Sequence, residues 1–306
     1  MDNHIFIIDE NDSGVRIDCY LSNLFADISR TKIQSLIKSG KVLINEKSCK
    51  SSYVIQTDDK IKFEFDDVKE IKIKPEKIEI ETLYEDEYIA IINKPSGMLT
   101  HPVSNEKSGT LVNALLYKYG CSLSDLNGEY RRGIVHRLDR NTSGLLIITK
   151  NNTAHEKISE MMKERKILKR YRTIVKGVMN ENVVIDKPIG RSRSNPAKMC
   201  VAADGKPSVT EACIIKRFDN ATYLDINLKT GRTHQIRVHL SCINHPVYND
   251  TLYGFGKMKI KTDGQVLQSY KLVFTNPFNG KLIDMEIEPD EKIKKILNCL
   301  EQREVL

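Results

Sequence analysis

Asp139 lies where a carboxylate can do chemistry. The segment Gly133-Ile134-Val135-His136-Arg137-Leu138-Asp139-Arg140-Asn141-Thr142-Ser143-Gly144 places it on a polar stretch between an apolar run and a second one, Leu145 to Ile148. Arg137 and Arg140 flank it, and Asn141 to Gly144 is turn-forming. A carboxylate on a loop between two strand-like runs is held by a stiff scaffold while its head stays reachable, as a nucleophile or general base requires. An Asx-turn or a salt bridge is the plainer reading of the same residues.

Two further segments carry polar side chains where strands ordinarily only pack. Lys166-Ile167-Leu168-Lys169-Arg170-Tyr171-Arg172-Thr173 sets Tyr171 at the start of a strand amid cations. A half-buried strand tyrosine is the structural alternative. In Thr230-Gly231-Arg232-Thr233-His234-Gln235-Ile236-Arg237-Val238-His239-Leu240, three aliphatics alternate with Gln235, Arg237 and His239. The alternation predicts a strand with one apolar face and one face of amide, guanidinium and imidazole groups. That polar face equally suits solvent, and Gly231-Arg232 a turn.

The rest of the chain must position these groups. Its 306 residues accommodate a large domain plus a small one, and 40% hydrophobic with 29% charged residues is a globular composition. No run approaches the roughly 18 uncharged apolar residues of a membrane span. The start, Met1 to Glu10, lacks the basic region and cleavage site of a secretory signal. Seven scattered cysteines, with no Cys-x-x-Cys, point away from zinc and disulfides and toward reduced thiols in the cytoplasm. A net charge of +7 tilts toward a polyanionic partner.

Residues 14 to 65 read as a small unit: a helix through Cys19 to Phe25, and a second capped by Ser29 and ended by Gly40. Strands follow at Val42 to Ile44 and Ile61 to Phe65. On the second helix Ile33, Leu36 and Ile37 form the apolar stripe and leave Arg30, Lys32 and Lys38 outward, with Lys41, Lys47 and Lys50 close behind. Charge-rich residues 66 to 77 read as a linker. From 78 to 306 the pattern predicts an α+β domain on a mixed, largely antiparallel sheet. Its strands are Ile78 to Ile80, Tyr88 to Ile92, Ile134-Val135, Leu145 to Thr149, Tyr171 to Val175, Val209 to Ile215 and Tyr223 to Leu228. Its helices are Thr110 to Tyr119 and Ala154 to Lys166.

The first unit resembles the S4 domain, an RNA-binding module, through Arg16-Ile17-Asp18, Ser29 to Gln34, and Ile37 to Asn45. The resemblance implies a helix face and following loop that grip structured RNA by its phosphates, with Arg30, Lys32, Lys38 and Lys41 as contacts. The remainder resembles the RluA-type pseudouridine synthases. His136-Arg137-Leu138-Asp139 with Thr142-Ser143-Gly144 matches the segment holding that family's nucleophilic aspartate. Lys169-Arg170-Tyr171 matches the motif whose tyrosine lies against the target base. Thr230 to Leu240 matches a third, whose arginine, here Arg237, pairs with the aspartate. Asn93 to Met98, Thr100-His101-Pro102 and Lys187 to Arg191 add support, and the order of S4 module and synthase is that of the RluD-like branch.

The resemblance implies a pseudouridine-synthase fold with a central cleft and catalytic roles for Asp139, Tyr171 and Arg237. It also implies RNA contacts from His136, Arg137, Arg140, Lys169, Arg191, Arg232, His234 and Gln235. The partner implied is RNA, ribosomal in the first place and transfer RNA as the other class, with no metal, small-molecule cofactor or membrane. Lys166, Arg170, Arg172 and Arg193 read as further phosphate-facing cations. Asn244 and Asn249 depart from the glycines common in the family, and Leu267 to Tyr270 and Asn276-Pro277 also stray. The rival readings are a noncatalytic S4-bearing ribosome-assembly protein and an S4-linked methyltransferase. The second needs a glycine-rich cofactor loop, for which Gly254-Phe255-Gly256 comes late in the chain and outside a strand-to-helix setting.

Overall fold

Apolar spacing builds the N-terminal module. In the computed structural model, which describes residues 2–25, 28, 30–65, 73–103, 106–195, 197–255 and 260–304, the first strand β1 (Asp2–Ile7) precedes helices α1 (Ile17–Leu24) and α2 (Arg30–Lys38). Strands β2 (Val42–Ile44), β3 (Lys47–Ser48) and β4 (Lys60–Phe65) follow. The four strands form an antiparallel sheet in the order β1-β4-β2-β3. Ile17 and Leu21 of α1, Ile33 and Ile37 of α2, and Ile44, Ile61 and Phe63 of the strands are all buried. Phe25 joins them, its ring 4.9 Å from that of Phe63 in an edge-to-face contact. Gly40 closes α2 at φ +76, a backbone state that costs glycine nothing. The expected Ser29 cap lies outside the described residues, as does 66–72 of the expected linker.

The chain divides into two units. The first holds Met1–Ile91, Leu99–Arg137 and Ile147–Ser159; the second holds Ile92–Met98, Leu138–Leu146 and Glu160–Leu306. Beyond the N-terminal module, the first unit contains β5 (Glu81–Glu85), α3 (Leu111–Tyr119) and most of α4 (Asn152–Lys163). It also holds parts of β6 (Ile89–Lys94) and β7 (Ser143–Thr149), in which Ile89 to Ile92 and all of β7 are buried. The described end of the linker is fixed: Glu76 accepts the Gly109 N–H, and Asn113 donates to the Lys74 carbonyl. The strand expected at Ile78 begins later, at Glu81, and Ile134-Val135 forms only a single bridge, Ile134 to Ile148.

The second unit adds β8 (Leu168–Lys176), β9 (Val183–Asp186), β10 (Ile189–Arg191), β11 (Met199–Val201), β12 (Val209–Phe218) and β13 (Ala221–Leu228). Helix α5 (Gln235–Cys242), strands β14 (Leu267–Thr275) and β15 (Leu282–Glu286), and helix α6 (Glu291–Glu304) complete it. Its sheet runs β7-β14-β8-β13-β12-β9, with β15 on β14 and every pairing antiparallel except β7 with β14. Ile293, Ile296 and Leu300 of α6 pack on Ile174, Phe218 and Tyr223 to form its core. Gly144 sits where β7 meets β14, at φ +113, and a Cβ there would overlap the Ser269 carbonyl. The fold is α+β and largely antiparallel, as the patterning predicts.

One element is of the other type. Residues 235–242 are a helix, not a strand. Every residue from Gln235 to Leu240 is buried, polar and apolar alike. A segment enclosed on all sides has no exposed face to set a period, so the alternation of Ile236, Val238 and Leu240 carries no conformational message.

Candidate active site

Asp139 is presented by a loop tied down through its backbone. Its carbonyl accepts the Thr142 N–H at 3.0 Å, closing a turn. The next two carbonyls are anchored by the segment after β6. Gly97 donates its N–H to Arg140 O at 2.9 Å and Ser96 Oγ to Asn141 O at 3.0 Å. Lys94, fully buried, donates from Nζ to Pro95 O, Met98 O and Arg140 O at 2.9, 2.8 and 3.1 Å. Three acceptors suit the three N–H groups of an ammonium. Burial pulls Lys94 down to about 7, aided by Lys292 and Arg140, while the charge of Asp139 acts upward. Lys292 adds bonds to Asn141 O and Gln265 O at 2.7 and 2.9 Å.

The carboxylate itself meets Arg237, whose Nη1 donates to Asp139 Oδ2 at 2.7 Å. Arg237 is in turn gripped by Asp250, with Nε donating to Oδ2 at 2.7 Å and Nη2 to Oδ1 at 2.9 Å. Asp250 Oδ1 also accepts the N–H groups of Leu252 and Tyr253. Burial would lower Arg237, but the hydrogen bonds it donates to Asp250 and the charge of Asp139 hold it well above the ordinary guanidinium range. One guanidinium thus faces two carboxylates. Asp250 has no exposed side-chain surface and Asp139 keeps 19%, so the uncompensated negative charge belongs on the reachable group. The arginine favours the ionised form of Asp139, as a nucleophile needs.

His234 and two tyrosines complete the surroundings. His234 adopts a left-handed conformation (φ 56) as the N-cap of α5. Its Nε2 lies 3.8 Å from Asp139 Oδ1, and its Nδ1 is 2.8 Å from Tyr253 Oη. That hydroxyl also accepts the Met199 N–H at 2.8 Å, and burial pushes it up to about 12. Tyr171, in β8 opposite Ser269 of β14, is buried. Burial pushes its phenol up to about 12, Asp139 adding to the rise and a Ser269 hydrogen bond opposing it. Both phenols therefore keep their protons at neutral pH.

The structure thus gathers Asp139, Tyr171, Arg237 and His234 in one unit. Other expected contacts are spent on the fold. Gln235 accepts from Thr230 Oγ1 and Arg232 N–H and donates to Val209 O and Thr210 Oγ1, so its amide braces the turn before α5. His136 is buried and its Nε2 accepts the Ile147 N–H. Arg172 is not on a phosphate-facing surface: it is buried, donates to Ile287 O, and stacks 3.9 Å from the Tyr270 ring centroid. Arg170 pairs with Asp225, Lys166 with Glu164 and Arg193 with Asp204. Lys32, Lys38, Arg140 and Arg191 are exposed, while Lys41, Arg137, Lys169 and Arg232 are half-buried. Arg30 is exposed and bound to Asp18.

Sequence reasoning missed Asp250, Tyr253 and the anchoring role of Lys94. Lys94 stands inside the Asn93 to Met98 segment, but a lysine that binds carbonyls has no side-chain partner to look for. Asn244 and Asn249 both take left-handed φ, 64 and 57, which asparagine tolerates, so these departures leave the backbone path intact. Gly254 donates its N–H to Asp250 O, placing it in the turn beyond Asp250, and Gly256 lies outside the described residues. Among the described residues, no group of three or more His, Cys, Asp or Glu could hold a metal ion, and no helix is long and apolar enough to cross a membrane.

Comparison with known proteins shows a family and a fold. The family described as RNA pseudouridylate synthase matches residues 88–242, and the S4 domain matches residues 15–61. The ribosomal large subunit pseudouridine synthase D of Buchnera aphidicola is 43% identical over 306 residues, covering 93% of this chain and 94% of that protein. An uncharacterized RNA pseudouridine synthase of Aquifex aeolicus is 38% identical over 298 residues, covering 94% of each. Among solved structures, human RNA pseudouridylate synthase domain containing 4 superposes with a TM-score of 0.58 at 20% identity, over 72% of this chain and 93% of that one, a likeness of fold.

Proposed function

The chain belongs to the RNA pseudouridylate synthase family and is an isomerase of that class with an S4 domain, and we propose that it converts uridine to pseudouridine in large-subunit ribosomal RNA, with Asp139 as nucleophile. The observation that carries this reading is Asp139 itself: a reachable carboxylate 2.7 Å from a buried guanidinium that a second, fully buried carboxylate holds in place. The arrangement supports an ionised Asp139 in a site where burial alone would neutralise it.

The reaction breaks the N1–C1′ bond of uridine and joins C1′ to C5. C5 loses a proton and N1 gains one, so no electrons are gained or lost overall. Asp139 adds to C1′, adds to C6, or takes the C2′ proton to give a glycal; the site serves each route with the same charged group. A uridine reaches it by leaving its stack, at a cost of a few kcal/mol. In this reading Tyr171 offers the flipped base an aromatic face and a protonated phenol able to relay a proton. The S4 module supplies phosphate contacts from Lys32 and Lys38, and the reaction belongs to the cytoplasm. The share of the relatives named for the ribosomal large subunit supports the choice of RNA.

The test is to incubate the purified chain with unmodified ribosomal and transfer RNA transcripts and map pseudouridine chemically. New pseudouridine in large-subunit RNA is expected. Product in transfer RNA alone would overturn the substrate class, and no product in any RNA would favour a noncatalytic binding protein.

A further inference from the structure

The N-terminal module contains a fully buried carboxylate that the proposed reaction does not use. Asp18, in the first turn of α1, has no exposed side-chain surface, yet it accepts five hydrogen bonds from three side chains. Arg16 donates from Nε to Oδ1 at 3.0 Å and from Nη2 to Oδ2 at 2.9 Å. Arg30 donates from Nε and Nη2 to Oδ2 at 3.1 and 3.0 Å, and Gln34 Nε2 to the same oxygen at 2.7 Å. Burial acts to raise the Asp18 carboxyl, but these hydrogen bonds hold it well below the usual carboxylate range.

The two guanidiniums are the unusual part. Their side chains keep 44% and 49% of their surface exposed, although both are pinned to a buried group. Each has five N–H donors and spends two on Asp18, so the remaining three on each are not committed there. One carboxylate against two guanidiniums leaves a net positive charge, and the positive partners are the exposed ones. An arginine normally loses side-chain freedom when it grips a phosphate; two arginines already pinned lose far less. Exposed Lys32 and Lys38 lie on α2 with Arg30, extending the positive surface.

We propose that Asp18 is a positioning residue that holds Arg16 and Arg30 as a ready-made clamp for a backbone phosphate of the RNA substrate, an inference that rests on the RNA-binding reading above. The clamp predicts a sign that simple electrostatics reverses. Removing an acid from a nucleic-acid-binding surface ordinarily tightens binding. Here Asp18→Asn weakens it, because two guanidiniums lose their anchor.

The experiment measures affinity of the full chain for a transcript of large-subunit ribosomal RNA across a salt series, with thermal melts followed by circular dichroism. Asp18→Asn is expected to bind about tenfold more weakly at low salt despite its added positive charge. Arg16→Lys and Arg30→Lys keep the charge but cannot both chelate Asp18 and present outward donors, and each is expected to bind about fivefold more weakly. Equal or tighter binding by a folded Asp18→Asn overturns the clamp. Should that variant melt early, the two arginine variants decide, and wild-type affinity in both overturns it. Wild-type protein that fails to bind the transcript overturns the RNA reading itself; tight wild-type binding with indifferent variants removes only the clamp.

Discussion

At Asp139 one guanidinium serves two carboxylates, whereas at Asp18 one carboxylate serves two guanidiniums. The clusters use the same chemical pair with opposite arithmetic. In each, the group in the minority is buried and shared: Arg237 keeps 8% of its side-chain surface and Asp18 none. In each, the surplus charge appears on the exposed partner. The Asp139 cluster turns a negative charge outward on Asp139, and the S4 cluster turns positive charge outward on Arg16 and Arg30. Buried ion pairs add little net stability, since desolvation offsets much of the attraction. An unequal ratio gives them another use, the presentation of an oriented surplus charge of chosen sign at a reachable surface.

Removing the surplus negative charge is the most damaging way to break the Asp139 half of this comparison. Asp139→Asn should lower kcat on the order of 10⁴-fold or more while RNA affinity is retained. Substantial turnover by this variant, followed by chemical mapping of pseudouridine, would refute its role as nucleophile. Asp250→Asn leaves the outward charge but removes the grip on the shared guanidinium. It should cost about 3–5 kcal/mol of stability by stranding part of a buried ion pair, and kcat should fall on the order of 10²-fold as Arg237 loses its aim. A variant with wild-type kcat would show that Arg237 is positioned without Asp250.

A third change tests whether the loop matters as much as the charges. Lys94→Met withdraws a buried donor from three backbone carbonyls, for a loss of about 3 kcal/mol in urea titration. Activity should fall with it, because the Asp139 loop is no longer drawn to the segment after β6; unchanged stability would mean those carbonyls find other donors.

The smallest effect concerns acid and the other half of the comparison. Asp18 holds its proton less tightly when folded than at the ordinary value of 3.8. The stability it lends is therefore present above that pH and drains away as pH falls below it. Wild-type protein should lose stability more steeply than Asp18→Asn below pH 3.8 by circular dichroism, and parallel curves would show that the carboxyl is not depressed.

Much of this was legible in the chain. The amphipathic spacing of Ile33, Leu36 and Ile37 wrote helix α2, and the apolar runs at Leu145 to Thr149 and Tyr223 to Leu228 wrote strands, because one buried face or one buried run leaves a period or a block in the sequence. The three polar segments around Asp139, Tyr171 and Arg237 were conspicuous because charged and aromatic groups stood where packing alone had no use for them. What they do together was not readable locally, since Asp139 and Arg237 meet across a separation of 98 residues. Tertiary structure decided the rest. It made residues 235–242 a helix, since complete burial erased the face that a period would have marked. It turned Arg172 and Gln235 inward, because a cation or an amide looks the same in sequence whether it meets phosphate or a carbonyl. It brought Asp250 and Lys94 to the site, where their work is done through a shared guanidinium and through backbone oxygens. Sequence determines which groups are available and which stretches can fold around them; only packing decides which charge is buried, and so which one is left to act.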